Sequence, residues 1–234
     1  MKIQGSVVLV TGANRGLGLE FAKQALALGA AKVYAAARDP SQVTLPGVVP
    51  VKLDVTNVAD VAALAIECPD VTLLVNNAGI GRTGGVTGGD ATTLLREQME
   101  TNVYGVLHMS HAFAPILARN GGGAILNILS VLSWVNTPLL GAYGVTKSAA
   151  WALTNSLRAE LKGQGTQVTG FHCGFIDTDM IRSFDVPKAT PVDVVAQSYA
   201  ALEAGELEVR ADDASRQVKD GLSQGVYLAD VLGG

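Results

Sequence analysis

The sequence predicts an α/β fold: one domain built on a doubly wound parallel β-sheet, flanked by helices on both faces. Short apolar runs alternate with helix-period segments from end to end, the pattern of parallel strands joined by crossover helices. A glycine-rich turn, Thr11-Gly12-Ala13-Asn14-Arg15-Gly16-Leu17-Gly18, separates the first apolar run from the first helical one. The 234 residues suffice for one large core, and neither a linker nor a repeat divides residues 1–234.

The elements follow in order. Val7 to Val10 reads as a buried strand. Leu19, Phe21, Ala22, Ala25, Leu26 and Leu28 have helical spacing, ended by Gly29. Further strands are expected at Lys32–Ala37, Val48–Leu53, Val71–Val75, Gly123–Leu129 and Gln167–Phe171, with a late edge strand at Leu207–Ala211. Helices are expected at Val58–Ile66, Leu94–Ala118, Ala142–Leu161 and Val192–Glu203. Asn102 is a poor interior helix residue, so the second of these should break near it. Pro40 and Pro46 leave little helix in the second crossover. Six glycines between Gly79 and Gly89 make that stretch a loop.

Composition excludes several classes. Hydrophobic content of 48% with 16% charge is globular. A net charge of −4 without a basic stripe argues against nucleic acid. No run of apolar residues is long enough to span a membrane, and the N-terminal apolar run reads as a strand rather than a secretory signal. Cys68 and Cys173 give no disulfide framework, which suits a reducing compartment such as the cytoplasm. His108, His111 and His172 form no metal-ligand pattern.

Two features carry chemistry. Tyr143 and Lys147 are four residues apart, on one helix face. An ammonium roughly 6 Å from a phenol, at an effective dielectric near 20, favours the phenolate by about 3 kcal/mol, or about two pKa units. That shift is expected to ready Tyr143 for proton transfer near neutrality. The glycine turn has the strand–turn–helix context of a nucleotide-binding loop, with helix N–H groups aimed at an anion. Its spacing is Gly-x-x-x-Gly-x-Gly rather than Gly-x-Gly-x-x-Gly.

Together these motifs make the chain resemble the short-chain dehydrogenase/reductase family over nearly its whole length. Thr11 to Gly18 matches the family's cofactor loop and Asn76-Asn77-Ala78-Gly79 its motif after the fourth strand. Asn102, Ser130, Tyr143 and Lys147 match its catalytic tetrad, with Ser130 thirteen residues before Tyr143. Ser133 is the competing serine. Cys173-Gly174-Phe175-Ile176-Asp177-Thr178 lies where the family has Pro-Gly and then a Thr, with Cys173 replacing the proline.

The resemblance implies a Rossmann fold and a carbonyl-reductase-like enzyme using NADP(H). Gly12, Asn14, Arg15, Gly16, Leu17 and Gly18 would hold the pyrophosphate end. Ala37 stands where NAD-preferring members carry Asp, and Arg38 follows it, as in NADP-preferring relatives. Arg15 and Arg38 could face a 2′-phosphate, or be solvated, with Asp39 neutralising Arg38. Asp54 and Val55 would meet the adenine, although Asp54 could simply start a turn. Asn77, Ala78 and Gly79 would pass under the ribose, while Asn76 ties strands together. Lys147 would bind the nicotinamide ribose, and Gly174, Ile176 and Thr178 would border the carboxamide. Tyr143 would be the general acid/base, Ser130 would hydrogen-bond the substrate oxygen, and Asn102 would hold a water leading to Lys147.

Val131, Trp134, Leu140 and Phe175 are candidate pocket walls, each of which could instead be core packing. With a short loop between Met180 and Pro191, they suggest small or aromatic ketones and aldehydes. The alternatives are a 3-oxoacyl-thioester reductase, with Arg82, Arg96 and Arg119 as a basic rim, and a non-catalytic NADP sensor. The resemblance also implies a homodimer or homotetramer.

Overall fold

The computed structural model describes residues 1–181 and 185–229. Seven parallel strands form one sheet: β1 (Val7–Thr11), β2 (Lys32–Ala37), β3 (Val49–Lys52), β4 (Leu73–Asn76), β5 (Ala124–Ile128), β6 (Gln167–His172) and β7 (Glu208–Arg210). Their order is β3-β2-β1-β4-β5-β6-β7. β1 pairs with β2 through Val8↔Val33 and with β4 through Val8↔Leu73. The chain order therefore reverses between β1 and β4, and the crevice beyond their carboxyl ends is where this architecture binds ligands.

Helices cover both faces. On one, α1 (Gly16–Ala27) packs against α6 (Pro191–Ala204). Phe21 meets Phe171 and Tyr199 edge to face, and the Tyr199 hydroxyl donates to the Phe21 carbonyl at 2.8 Å. All three rings are fully buried, each worth roughly 1.5–3 kcal/mol. On the other face lie α2 (Val58–Glu67), α4 (Gly105–Arg119) and α5 (Gly141–Leu161), over Leu9, Leu74, Met109, Phe113 and Ile125.

The expected long helix is three pieces: α3 (Ala91–Met99), a π-turn over Glu100–Tyr104, and α4. Asn102 lies inside the turn, at the expected break. The second crossover holds only a single turn, Pro40–Gln42. One helix was not expected: α7 (Asp213–Gly221), which packs under the turn Val131–Ser133. It buries only Ser215 and Val218, too little apolar periodicity to read from sequence.

Candidate active site

The glycine turn is shaped by its backbone. Gly12 and Gly16 have φ of +66° and +54°, which L side chains rarely adopt. A Cβ on Gly18 would run into the Gly12 carbonyl and the Asn77 amide. Asn77 locks the turn, donating from Nδ2 to Thr11 O at 2.8 Å and Gly12 O at 3.2 Å. Arg15 is exposed at the N-cap of α1, which has no side-chain cap, so its first N–H groups face the crevice mouth. Leu17 packs partly against the core, and Asn14 Nδ2 donates to Gln42 at 3.1 Å. Thr178 lies against Gly16 from the far side of the crevice.

At the end of β2, Ala37 is buried and Arg38 exposed. Asp39 does not neutralise Arg38: its carboxylate accepts from Ser41 N, Ser41 Oγ and Gln42 Nε2, which hold its pKa below the usual carboxylate range. Among the described residues neither Arg15 nor Arg38 has an ion-pair partner within 4.0 Å. Asp54 makes the turn allowed for it, accepting from Thr56 N at 3.0 Å and Thr56 Oγ1 at 2.8 Å. Val55 is buried beneath it, against Gly105. Asn76 binds Asn127 at 2.8 Å, tying β4 to β5, while Ala78 and Gly79 follow at the crevice edge.

The four tetrad residues converge beyond the carboxyl ends of β4 and β5. Lys147 Nζ donates to Ile128 O at 2.8 Å and lies 5.6 Å from the Tyr143 ring centre. Asn102 accepts from Ile80 N at 2.9 Å and donates to Ile80 O and to Thr146 Oγ1, at 2.9 and 3.0 Å. It thus ties the loop after β4 to the tyrosine helix one residue before Lys147. Ser130 lies near enough to Tyr143 to favour its ionised form, and its Oγ accepts from Leu132 N at 3.1 Å. Ser133 faces back instead, its Oγ accepting from Ser130 N at 3.3 Å.

The expected acidification of Tyr143 is not found. Burial pushes the phenol above its usual 10, the neighbouring Cys173 thiol adds to the rise, and nearby Ser130 only partly opposes it. Burial also lowers Lys147 to about 8. Desolvation weakens the charged form of each group and is the largest influence on both. The isolated site therefore holds Tyr143 as a neutral phenol, a proton donor.

Val131 and Trp134 are packed into a small core with Leu132, Val135 and Val218 of α7, while Leu140 and Phe175 stay half-buried. The segment between Met180 and Pro191 includes residues 182–184, outside the described residues. Exposed Val86 and Leu139 flank the start of α5, where Gly84 N–H donates to Leu139 O and Ala142 N–H to Gly84 O. Arg82 pairs with Glu97 at 2.9 Å.

Cys173 is buried, and burial pushes its thiol to about 12. The loop it begins is held by Asp212, which accepts from Gly174 N–H and, as the N-cap of α7, from Ser215 N–H at 2.8 Å. Asp212 escaped sequence reading; its only signal is the Asp-x-x-Ser capping pattern. Ile176 turns its side chain into the main core, so contact with a ligand falls to its backbone.

Known proteins share this arrangement. The short chain dehydrogenase family model matches residues 6–188. Short chain dehydrogenase tazN of Aspergillus terreus is 34% identical over 82% of this chain, which spans 45% of that protein. Galactitol 2-dehydrogenase (L-tagatose-forming) of Cereibacter sphaeroides is 34% identical over 76% of this chain and 74% of its own length. A crystal structure of a short chain dehydrogenase from Burkholderia cenocepacia J2315, in complex with NADP, superposes with a TM-score of 0.94 at 39% identity, covering 99% of both chains. With the glycine turn, the Asn-Asn-Ala-Gly stretch and the converged tetrad on one seven-stranded sheet, the chain belongs to the short-chain dehydrogenase family of oxidoreductases, which act on CH–OH groups.

Proposed function

We propose that the protein is an NADPH-dependent oxidoreductase that interconverts a ketone or aldehyde carbonyl with its alcohol. The observation that carries this reading is the gathering of Ser130, Tyr143 and Lys147 beside one another beyond the carboxyl end of β5. The turn suits a dinucleotide: Gly12 and Gly16 take positive φ, Gly18 packs so closely on the Gly12 carbonyl that no Cβ fits, and α1 begins there without a side-chain cap.

Gly12 and Asn14 to Gly18 would hold the pyrophosphate, and Arg15 and Arg38 the 2′-phosphate. Asp54 and Val55 would border the adenine, and Asn77 to Gly79 one ribose. Tyr143 and Lys147 would hold the other ribose, and Gly174, Ile176 and Thr178 the carboxamide. When bound, the cofactor supplies the hydride. Ser130 donates a hydrogen bond to the substrate oxygen, where negative charge develops. Tyr143 gives that oxygen its proton, and the charge of Lys147 favours the phenolate left behind. In oxidation the same groups run in reverse. Two guanidiniums without an ion-pair partner among the described residues, and the apolar Ala37, favour NADP(H) over NAD(H).

The apolar rim of Val86 and Leu139 suits small or aromatic ketones and aldehydes. Arg82, engaged by Glu97, is not free to receive an acidic carrier protein. Exposed Tyr104, Leu107 and Val145 give α4, α5 and the adjoining turn an apolar face for pairing two copies, so the protein is proposed to be a homodimer or homotetramer. Two separately buried free cysteines suit the cytoplasm. Among the described residues no helix is long and apolar enough to cross a membrane.

The test is NADPH oxidation, followed by absorbance, against ketones, aldehydes and an acetoacetyl thioester, with NADH in parallel. Turnover of simple carbonyls with NADPH preferred is expected. Turnover of the thioester alone, or NADH preference, would overturn the corresponding part of the reading.

A further inference from the structure

His172 ends β6 with its side chain fully buried. Its Nδ1 lies 3.0 Å from the Ser130 carbonyl oxygen. A carbonyl can only accept, so Nδ1 carries the hydrogen and donates. The other nitrogen, Nε2, is buried with no hydrogen-bond partner, and the Glu208 carboxylate, also an acceptor, stands 3.9 Å away. Burial lowers the ring to about 4, so it is neutral at pH 7. A buried ring with one unmet nitrogen is costly, where Phe or Leu would fill the space without that cost. The single bond it makes is therefore its distinguishing feature.

That bond falls where β5 leaves the sheet. Leu129 N–H donates to Phe171 O at 2.7 Å, and Val131 N–H donates to Cys173 O at 2.8 Å. Between them, the His172 ring takes the Ser130 carbonyl, so three successive residues of β6 and the following loop grip three successive residues around the serine. The ring is itself held. It stacks on Trp134 with centres 3.8 Å apart and planes at 18°. Lys219 of α7 sits 4.7 Å over Trp134 and pairs with Glu208 at 2.8 Å, neutralising the carboxylate that faces Nε2.

We propose that His172 is a positioning residue: its Nδ1–H fixes the peptide plane of Ser130, and so aims the serine hydroxyl at the substrate oxygen. This rests on the role given to Ser130 above.

Three variants separate the contributions. In His172→Asn the amide nitrogen replaces Nδ1; in His172→Gln it falls near Nε2; His172→Phe keeps the stack and has no donor. With NADPH and a turned-over ketone, Gln and Phe are expected to lower kcat about tenfold. NADPH affinity should stay unchanged, and Asn should restore most of the rate. Imidazole nitrogen NMR of the unaltered protein should show the Nδ1–H tautomer between pH 6 and 8. Wild-type kcat in Gln and Phe, or an Nε2–H tautomer, would overturn the proposal. So would an Asn variant that falls as far as Gln, with kcat tracking the loss of Tm in all three. If the wild-type protein turns over no carbonyl at all, the reading of Ser130 itself fails, and this inference with it.

Discussion

Tyr143 differs from a phenylalanine only in its hydroxyl, the group proposed to hand its proton to the substrate oxygen. Tyr143→Phe removes the transferable proton but keeps the ring, so the rate should fall by several orders of magnitude, about 1.4 kcal/mol for each factor of ten. NADPH binding, read by fluorescence titration, should largely survive; a variant within tenfold of wild type would sink the acid role. Lys147 offers a test by pH. Its folded value of about 8 lies below the usual 10.5, so between these the unfolded chain holds a proton that the native protein does not. Stability from this group therefore rises with pH over that window, by about 3 kcal/mol. Lys147→Met lacks the effect. Urea unfolding of both proteins at pH 8 and 10.5 should show the wild type gaining on the variant; a flat difference would refute the lowered value. For the cofactor, Ala37→Asp should weaken NADP(H) and improve NAD(H), because the new carboxylate repels a 2′-phosphate and can bind ribose hydroxyls. Unchanged kcat/KM ratios for the two cofactors would refute the assigned phosphate site.

At the scale of elements, the glycine turn was readable because only backbone with φ near +60° and no Cβ allows it. Gly18→Ala should cost about 1–3 kcal/mol through overpacking against the Gly12 carbonyl. Thermal melts and NADPH titration should show a lower Tm and weaker binding together; an unaltered protein would mean that the turn is looser than described. The strands β1 to β7 and the break at Asn102 were also legible: β1, β2 and β4 are buried apolar runs between turn signals, and Asn is out of place inside a helix. α7 was not, because most of its residues are polar and it meets the site through Val218, the capping carboxylate Asp212 and the cation Lys219. None of these contacts has a local signature: each joins residues brought together by the sheet.

Across the whole molecule, the parallel sheet sets where the chemistry sits. Every strand ends on the same side, so the glycine turn after β1, the Asn77 loop after β4 and Ser130 after β5 meet although they lie far apart in sequence. The proposed substrate rim was not legible, since Val86 and Leu139 lie on two loops whose contact appears only in three dimensions. The outer face of α4 and α5 gives a further test. Leu107→Arg places a charge on the exposed apolar surface proposed to join two copies. Light scattering after gel filtration should show the wild type as an oligomer and the variant shifted to monomer. A wild-type monomer would refute the assembly.

The turn at Glu100–Tyr104 has a consequence for how this chain can change length. A π-turn closes i→i+5 bonds where an α-turn closes i→i+4, so it holds one residue more. Deleting one of its residues would close the ladder to i→i+4 and leave α3 and α4 in nearly the same phase, because the π-turn spreads its extra residue over a single turn. Leu94 and Gln98 would stay buried and the Gln98 bond to Arg82 N–H would survive, so the loss would be felt in the turn itself, where Asn102 holds Ile80 and Thr146. A one-residue deletion inside α3 would instead turn its faces by about 100°. Chains carrying this fold are expected to lose single residues at this turn, and to change α3 itself in steps close to whole turns.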